Sequence, residues 1–246
     1  MSRRTDMQRH VLLDADGVLQ RPAADFASEL NMVVRDGAEE WLRETFRRDG
    51  DVVTGRAEVV PALRGLLQEK GADHDATEVH QRLWCAIQVN RSLLAEVPTW
   101  QNSGLKTHLA TNQDPGRARF MKATLGYERV LDGTYYSCDL GVAKPDPAYF
   151  DQVLADLRAD PDDVLFIDDG VGNVEVAQSL GICGLRWQWS GTESESVDLL
   201  LQGSGCLECR GPLSAGPRTC GHACGSLLAP RTRISPARAC GKTYWR

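Results

Sequence analysis

The sequence predicts an α/β protein: a parallel sheet covered on both faces by helices, with a helical segment inserted after the first strand and an unstructured tail. Three observations carry this. Short apolar runs recur, each ending near a polar residue and each followed by helical spacing. From about residue 20 to 97 the spacing is helical throughout. Beyond residue 190 the periodicity fails. At 246 residues the chain has room for one large domain, or for a core with a smaller inserted one.

Residues 9–14, RHVLLD, read as a short buried strand ending on an aspartate, with Gly17 opening a turn just beyond. In the helical stretch, Trp41, Leu42, Thr45 and Phe46 line one face, and Leu63, Leu66 and Leu67 line another. That second helix stops at Gly71, a residue suited to a left-handed cap. Val79, Leu83, Ile87, Asn90 and Leu94 continue helical spacing over a longer segment. Strand signals return at Lys106 to Thr111 (KTHLAT). Asp114 can cap the following helix and Pro115 suits its first position; the helix runs to Gly126. A weaker strand at 134–138 precedes a helix at 147–158, with Phe150, Val153, Leu154 and Leu157 on one face. Val164 to Ile167 is a buried strand ending on Asp168-Asp169. Helix 173–180 closes at Gly181, and Ile182 to Trp187 is the last strand. Strands alternating with helices mean a parallel sheet.

Composition divides the chain. Its 42% hydrophobic content is ordinary for a globular protein, and the net charge is −6. Seven Lys/Arg against one acidic residue in 203–246 leave +6 there and −12 in the first 202 residues. An acidic body argues against a nucleic-acid surface, so no nucleic-acid partner is expected. No apolar run approaches the ~20 residues that span a bilayer. The basic start lacks an apolar signal-peptide region, which predicts a cytoplasmic enzyme. Cys85, Cys138 and Cys183 are scattered through the body, whereas Cys206, Cys209, Cys220, Cys224 and Cys240 crowd the tail. Cys206-x2-Cys209 with Cys220-Gly-His222-Ala-Cys224 could ligate zinc. The tail holds seven Gly, four Pro and four Ser among the residues 203–246, with little apolar content for even a small core. That mixture favours disorder over a zinc module, and it is also what a GC-rich gene translated out of frame yields.

Four polar signals fall just after strands: Asp14/Asp16, Thr111/Asn112, Lys144 and Asp168/Asp169. In an open parallel sheet, ligands bind at the carboxyl ends of the strands, so all four can converge on one crevice. Taken singly, each has a plain reading. Asp14-Ala-Asp16-Gly17 suits a turn, Thr111 a helix cap and Lys144 a solvated loop. Asp168-Asp169 resists that treatment, because two adjacent carboxylates after an apolar run need a cation or a basic partner.

Together the four resemble the motifs of the haloacid dehalogenase-like (HAD) hydrolase superfamily. Asp14-Ala-Asp16-Gly17-Val18 is similar to its first motif and Thr111-Asn112 to its second. Gly141-Val142-Ala143-Lys144-Pro145-Asp146-Pro147 resembles the third, and Phe166-Ile167-Asp168-Asp169 with Asn173 the fourth. The resemblance covers about residues 9–188, in the family's order. It implies a Rossmann-like core over 8–20 and 98–190, a helical cap over 21–97 with hinges near Arg21-Pro22 and Val97-Pro98, and a tail over 191–246.

The resemblance further implies a phosphatase. Asp14, ionised at neutral pH, would attack phosphorus. Asp16, ~6–7 Å further along an extended chain, would act as general acid and then base. Gly17, Thr111, Asn112 and Lys144 would join Asp16 in binding substrate, with Lys144 and the Thr111 hydroxyl offsetting phosphate charge. The cofactor would be Mg²⁺, with Asp14 and Asp169 as side-chain ligands, the main chain of Asp16 contributing and Asp168 supporting. None of the five histidines has a role in this scheme. The substrate class is a small phosphorylated metabolite, such as a sugar phosphate. A phosphomutase shares every motif. A 2-haloacid dehalogenase would leave Asp16 superfluous, since halide departs without a proton, and a non-catalytic binding module would have no need of all four motifs.

Overall fold

The computed structural model describes residues 9–23, 25–47 and 50–191. The readings made on the tail, disorder or zinc held by its cysteines and His222, fall outside the described residues.

The chain runs through β1 (His10–Leu13), β2 (Gln20–Pro22), α1 (Phe26–Val34), α2 (Ala38–Thr45), α3 (Val59–Glu69) and α4 (Ala76–Trp84). Next come β3 (Ile87–Val89), α5 (Arg91–Asn102), β4 (Lys106–Thr111), α6 (Pro115–Phe120), α7 (Tyr127–Val130) and β5 (Gly133–Tyr136). It continues through α8 (Ser137–Leu140), α9 (Pro147–Leu157), β6 (Val164–Asp168), α10 (Val171–Ser179) and β7 (Cys183–Arg186). Five strands form one parallel sheet in the order β5-β4-β1-β6-β7. β1 takes the centre because Val11-Leu12-Leu13 is apolar on both pleat faces, as a strand covered on both sides requires, and these three side chains have no solvent exposure. Burying each leucine contributes roughly 1.5–3 kcal/mol. Leu13 stands beside Leu109 of β4 on one side and Ile167 of β6 on the other. That register delivers Asp14, Thr111 and Asp168 to one edge of the sheet.

The insert expected after β1 supplies nearly all of one apolar cluster, formed by α1 to α4 with Phe46, Val52 and Val53, and Ala143 joins it from outside the insert. Trp84 is its centre: Phe26 and Phe46 stack on it at 5.3 and 5.8 Å, and Trp41 meets it edge-on at 6.3 Å. Two details differ from the sequence reading. The helical spacing over Val79 to Leu94 is interrupted, since α4 ends at Trp84 and Ile87–Val89 pairs antiparallel with Gln20–Pro22. Strands of three residues are too short to show alternation, and their partners lie far apart in sequence. Val97-Pro98, expected at a hinge, lies inside α5. The return to the core is fixed earlier, at the fully buried Asn90. Its amide donates to the Leu19 carbonyl at 2.8 Å, its Nδ2 donates to the Val18 carbonyl at 3.1 Å, and its Oδ1 caps α5 by accepting from the Leu93 amide. Among the described residues no helix is long and apolar enough to cross a membrane.

In the sheet interior, His10 Nδ1 and His108 Nε2 lie 3.0 Å apart. Burial first, and then the neighbouring His10, push His108 down from 6.5 to about 4; Asp132 and Asp156 oppose this while Lys106 adds to it. Above pH 6.5 the ring is neutral whether the chain is folded or not. Between 6.5 and about 4 the unfolded chain takes up a proton that the folded one refuses, so stability falls as pH falls through that window. The melting temperature of the wild type should therefore decline more steeply between neutral and mildly acidic pH than that of His108→Gln. Parallel curves would remove His108 as a cause.

Candidate active site

The sheet edge gathers the predicted residues in a small volume. Asp14 follows β1, and its amide is fixed by the Ile167 carbonyl at 2.9 Å. Asp168 ends β6 and Asp169 follows it. Each of the three offers a carboxylate oxygen, and these oxygens lie within 4.8 Å of one another. All three are buried. Burial pushes the Asp14 carboxyl well above the usual carboxylate range. Asp168, Asp169 and Asp16 push it the same way, while Lys144 opposes them. Burial alone would lower the Lys144 ammonium, but Asp14 and Asp168 outweigh it and hold the group above its ordinary value. Lys144 Nζ is 3.0 Å from Asp14 Oδ1 and 2.6 Å from Asp168 Oδ2, and it donates to the Ala110 carbonyl at 2.6 Å.

Local structure holds each member in place. Asp168 Oδ1 accepts from the Gly170 amide at 2.7 Å and from Asn173 Nδ2 at 3.0 Å, so its lone pairs are largely engaged within the protein. Asn112 clamps the Lys144 backbone at both ends: its Nδ2 donates to the Lys144 carbonyl at 2.8 Å, and its Oδ1 accepts from the Lys144 amide at 2.9 Å. Thr111 Oγ1 accepts from Gln113 Nε2 at 3.1 Å. Gly17 has φ +87, and a Cβ at that position would lie 2.6 Å from Asp169 Cγ. Only glycine therefore allows the first loop to close against Asp169.

Asp16 stands differently. Its carboxylate faces the buried Arg117 of α6, whose Nη1 and Nη2 donate to Oδ2 and Oδ1 at 2.5 and 2.9 Å. Gln113 Nε2 donates to Oδ2 at 2.8 Å and Gln20 Nε2 to Oδ1 at 3.2 Å. The sequence reading did not select Arg117, Gln113 or Gln20. No local pattern marks Arg117, because its partner lies 101 positions away.

The donor set suits a hard divalent cation. Asp14, Asp168 and Asp169 offer oxygen only, and Lys144 pairs with two of these three clustered carboxylates. The arrangement can present a nucleophilic carboxylate beside a cation site and a fixed ammonium.

The family model for haloacid dehalogenase-like hydrolases matches residues 6–181. The chain belongs to that family. Among curated relatives, this HAD-like hydrolase is 26% identical over 198 residues to bifunctional epoxide hydrolase 2 of Sus scrofa, which is 71% of this chain and 35% of that protein. The chain thus spans about a third of that relative, and the matching stretch is 20% of the same-named protein of Rattus norvegicus. D-ribitol-5-phosphate phosphatase of Bacteroides thetaiotaomicron is 40% identical over 50 residues, 20% of this chain and 24% of that protein. A HAD family enzyme of the same bacterium superposes with a TM-score of 0.64 at 18% identity, covering 80% of this chain and 99% of that chain. Its structure with magnesium and inorganic phosphate gives a TM-score of 0.61 at 20% identity, covering 78% and 98%. These likenesses establish the fold of the HAD-like hydrolase.

Gly17→Ala should lose at least about 1–2 kcal/mol in a urea titration, from the left-handed conformation alone. Gly141 has a similar φ of +76 with nothing within 4 Å of a built Cβ, so Gly141→Ala measures the backbone cost by itself. Gly17→Ala should be the more damaging of the two. Equal losses would mean that Asp169 yields freely.

Proposed function

We propose that this HAD-like hydrolase is a Mg²⁺-dependent phosphatase that hydrolyses a small phosphorylated metabolite through a phosphorylated Asp14. The observation that carries the reading is the buried Asp14 carboxylate set against Asp168, Asp169 and Lys144 at the carboxyl edge of the sheet. Support comes from the magnesium and phosphate complex of the structural neighbour and from the partial likeness to a sugar-alcohol phosphate phosphatase.

Asp14 and Asp169, with the main-chain carbonyl of Asp16, are the groups that would hold Mg²⁺, and Asp168 keeps Lys144 and the Gly170 turn in place. Bound Mg²⁺ supplies neutralising charge for a phosphate that brings about −1.5 to −2 into an acidic pocket. An Asp14 oxygen bonds to phosphorus as the ester P–O bond breaks, and the leaving oxygen takes a proton from Asp16. Asp16 then takes a proton from water as the water oxygen bonds to phosphorus and the Asp14–phosphorus bond breaks. One monoester and one water become one alcohol and inorganic phosphate. Thr111 Oγ1 and Lys144 stabilise the charge on the transferring group. The insert, spanning residues 21–97, acts as a cap that covers the site and selects the substrate.

Asp14→Asn should fold normally and retain less than a tenth of wild-type kcat on 4-nitrophenyl phosphate, because an amide of similar size is a poor nucleophile. In the wild type, EDTA should abolish turnover and added Mg²⁺ restore it. Asp169→Ala should shift the Mg²⁺ needed for half-maximal rate upward. Turnover that continues unchanged in EDTA would sink the metal assignment, and a fully active Asp14→Asn would sink the nucleophile.

A further inference from the structure

We infer that Arg117 is the positioning residue for Asp16 and couples that carboxylate to the helical insert. The inference rests on the phosphatase reading, in which Asp16 moves the protons. It starts from the number of groups that meet on Asp16. Four donors, two from the Arg117 guanidinium and one each from Gln113 and Gln20, engage two oxygens. A carboxylate offers about four lone-pair positions, so in this arrangement none remains for a substrate oxygen or a water. Proton transfer requires one contact to give way. The longest, from Gln20 at 3.2 Å, is the least costly to exchange, while the two-pronged arginine contact keeps the carboxylate aimed.

The same arginine holds the insert. Its Nε donates to the Trp84 carbonyl at 2.7 Å. Trp84 is the last residue of α4, whose terminal carbonyls have no partner within the helix. The guanidinium also lies over the Phe26 ring of α1 at 5.8 Å. A second tie runs alongside, with His80 of α4 placed 3.6 Å from Asp114, the N-cap of α6. A fully buried arginine is expensive to desolvate unless every prong is used, and here one group satisfies both the reacting carboxylate and the insert's helix end. Displacing α4 removes the Nε contact and loosens the fork, so Asp16 is aimed only while the insert is seated. Arg117 keeps its own proton throughout.

Two measurements test this. The first uses phenyl phosphate and 4-nitrophenyl phosphate with Mg²⁺. Phenoxide is the more basic leaving group and depends more on Asp16, whose help is typically worth ~10²–10⁴-fold. Arg117→Met should reduce kcat for phenyl phosphate at least ~10-fold more than for the nitrophenyl ester, with little change in KM. Arg117→Lys, which keeps one donor direction, should recover part of the difference, and it serves as the working variant should Arg117→Met not fold. The second is hydrogen exchange at the Asn90 and Ala23 amides, which bond across the root of the insert to the Leu19 and Ala86 carbonyls. Exchange there should quicken several-fold in both variants whether or not an ester is turned over. Equal rate losses for both esters in an active enzyme would overturn the positioning role and leave the phosphatase reading standing. A wild type that turns over neither ester would overturn that reading and the positioning role with it. Unchanged exchange would overturn the coupling to the insert.

Discussion

Repulsion among the carboxylates at the carboxyl edge of the sheet is the constraint that the rest of the molecule answers. Two unit charges about 5 Å apart cost roughly 3 kcal/mol at an effective dielectric near 20, against a total stability of only about 5–15 kcal/mol for a typical domain. Asp14, Asp168 and Asp169 meet within that range, and Asp16 adds to the rise in the Asp14 pKa. The fold meets this with buried positive groups rather than by spreading the acids apart. Lys144 is 1% exposed and Arg117 is 0% exposed, values uncommon for such side chains unless they are paired.

The two cations divide the acids between them. Lys144 bridges Asp14 and Asp168, and its position depends on Asn112, which binds both the amide and the carbonyl of the lysine. Arg117 takes Asp16 alone, with two glutamines in support. Asp169 is placed by the first loop, since Gly17 leaves the space its carboxylate fills. Asp14 and Asp16 thus have separate counter-charges. The two acids still feel each other, since they share the loop after β1 and Asp16 adds to the rise in the Asp14 pKa.

Legibility in the sequence follows the range of the interaction. The runs Val11-Leu12-Leu13, His108-Leu109-Ala110 and Val164 to Ile167 announce buried strands locally, and each ends on a polar residue that the sheet carries to its edge. Asp14, Asp168 and Asp169 could be read because each ends or follows a buried strand, whereas Lys144, expected just after a strand, lies beyond α8, eight residues past β5. β2 and β3 could not, since three residues carry no usable period and each needs the other to form. Arg117 reads locally as a helix residue after the Asp114 cap, and only the folded chain brings Asp16 to it. Pro98 pointed to a break, yet α5 continues through it, packed through Leu93, Val97 and Trp100. In that case tertiary burial outweighed the lost hydrogen bond.

The position of Asp16 in the chain explains why its orientation answers to the insert. It lies four residues before Gln20, where β2 begins, so it belongs to the root of the insert as much as to the sheet. The root is closed by Gly17 and Gln20, whose amides bond to the Gln20 and Ala15 carbonyls, and by Asn90, which binds the Leu19 and Val18 carbonyls. The Asp16 side chain reaches Trp84 through Arg117. Its backbone loop and its carboxylate are therefore tied to the two ends of one short segment, Trp84 to Asn90, by which the chain leaves the helical cluster. A rigid tie at one end would orient the loop and leave the carboxylate free to rotate. Ties at both ends fix the two together, so that movement of this segment acts on the Asp16 loop and on its carboxylate at once.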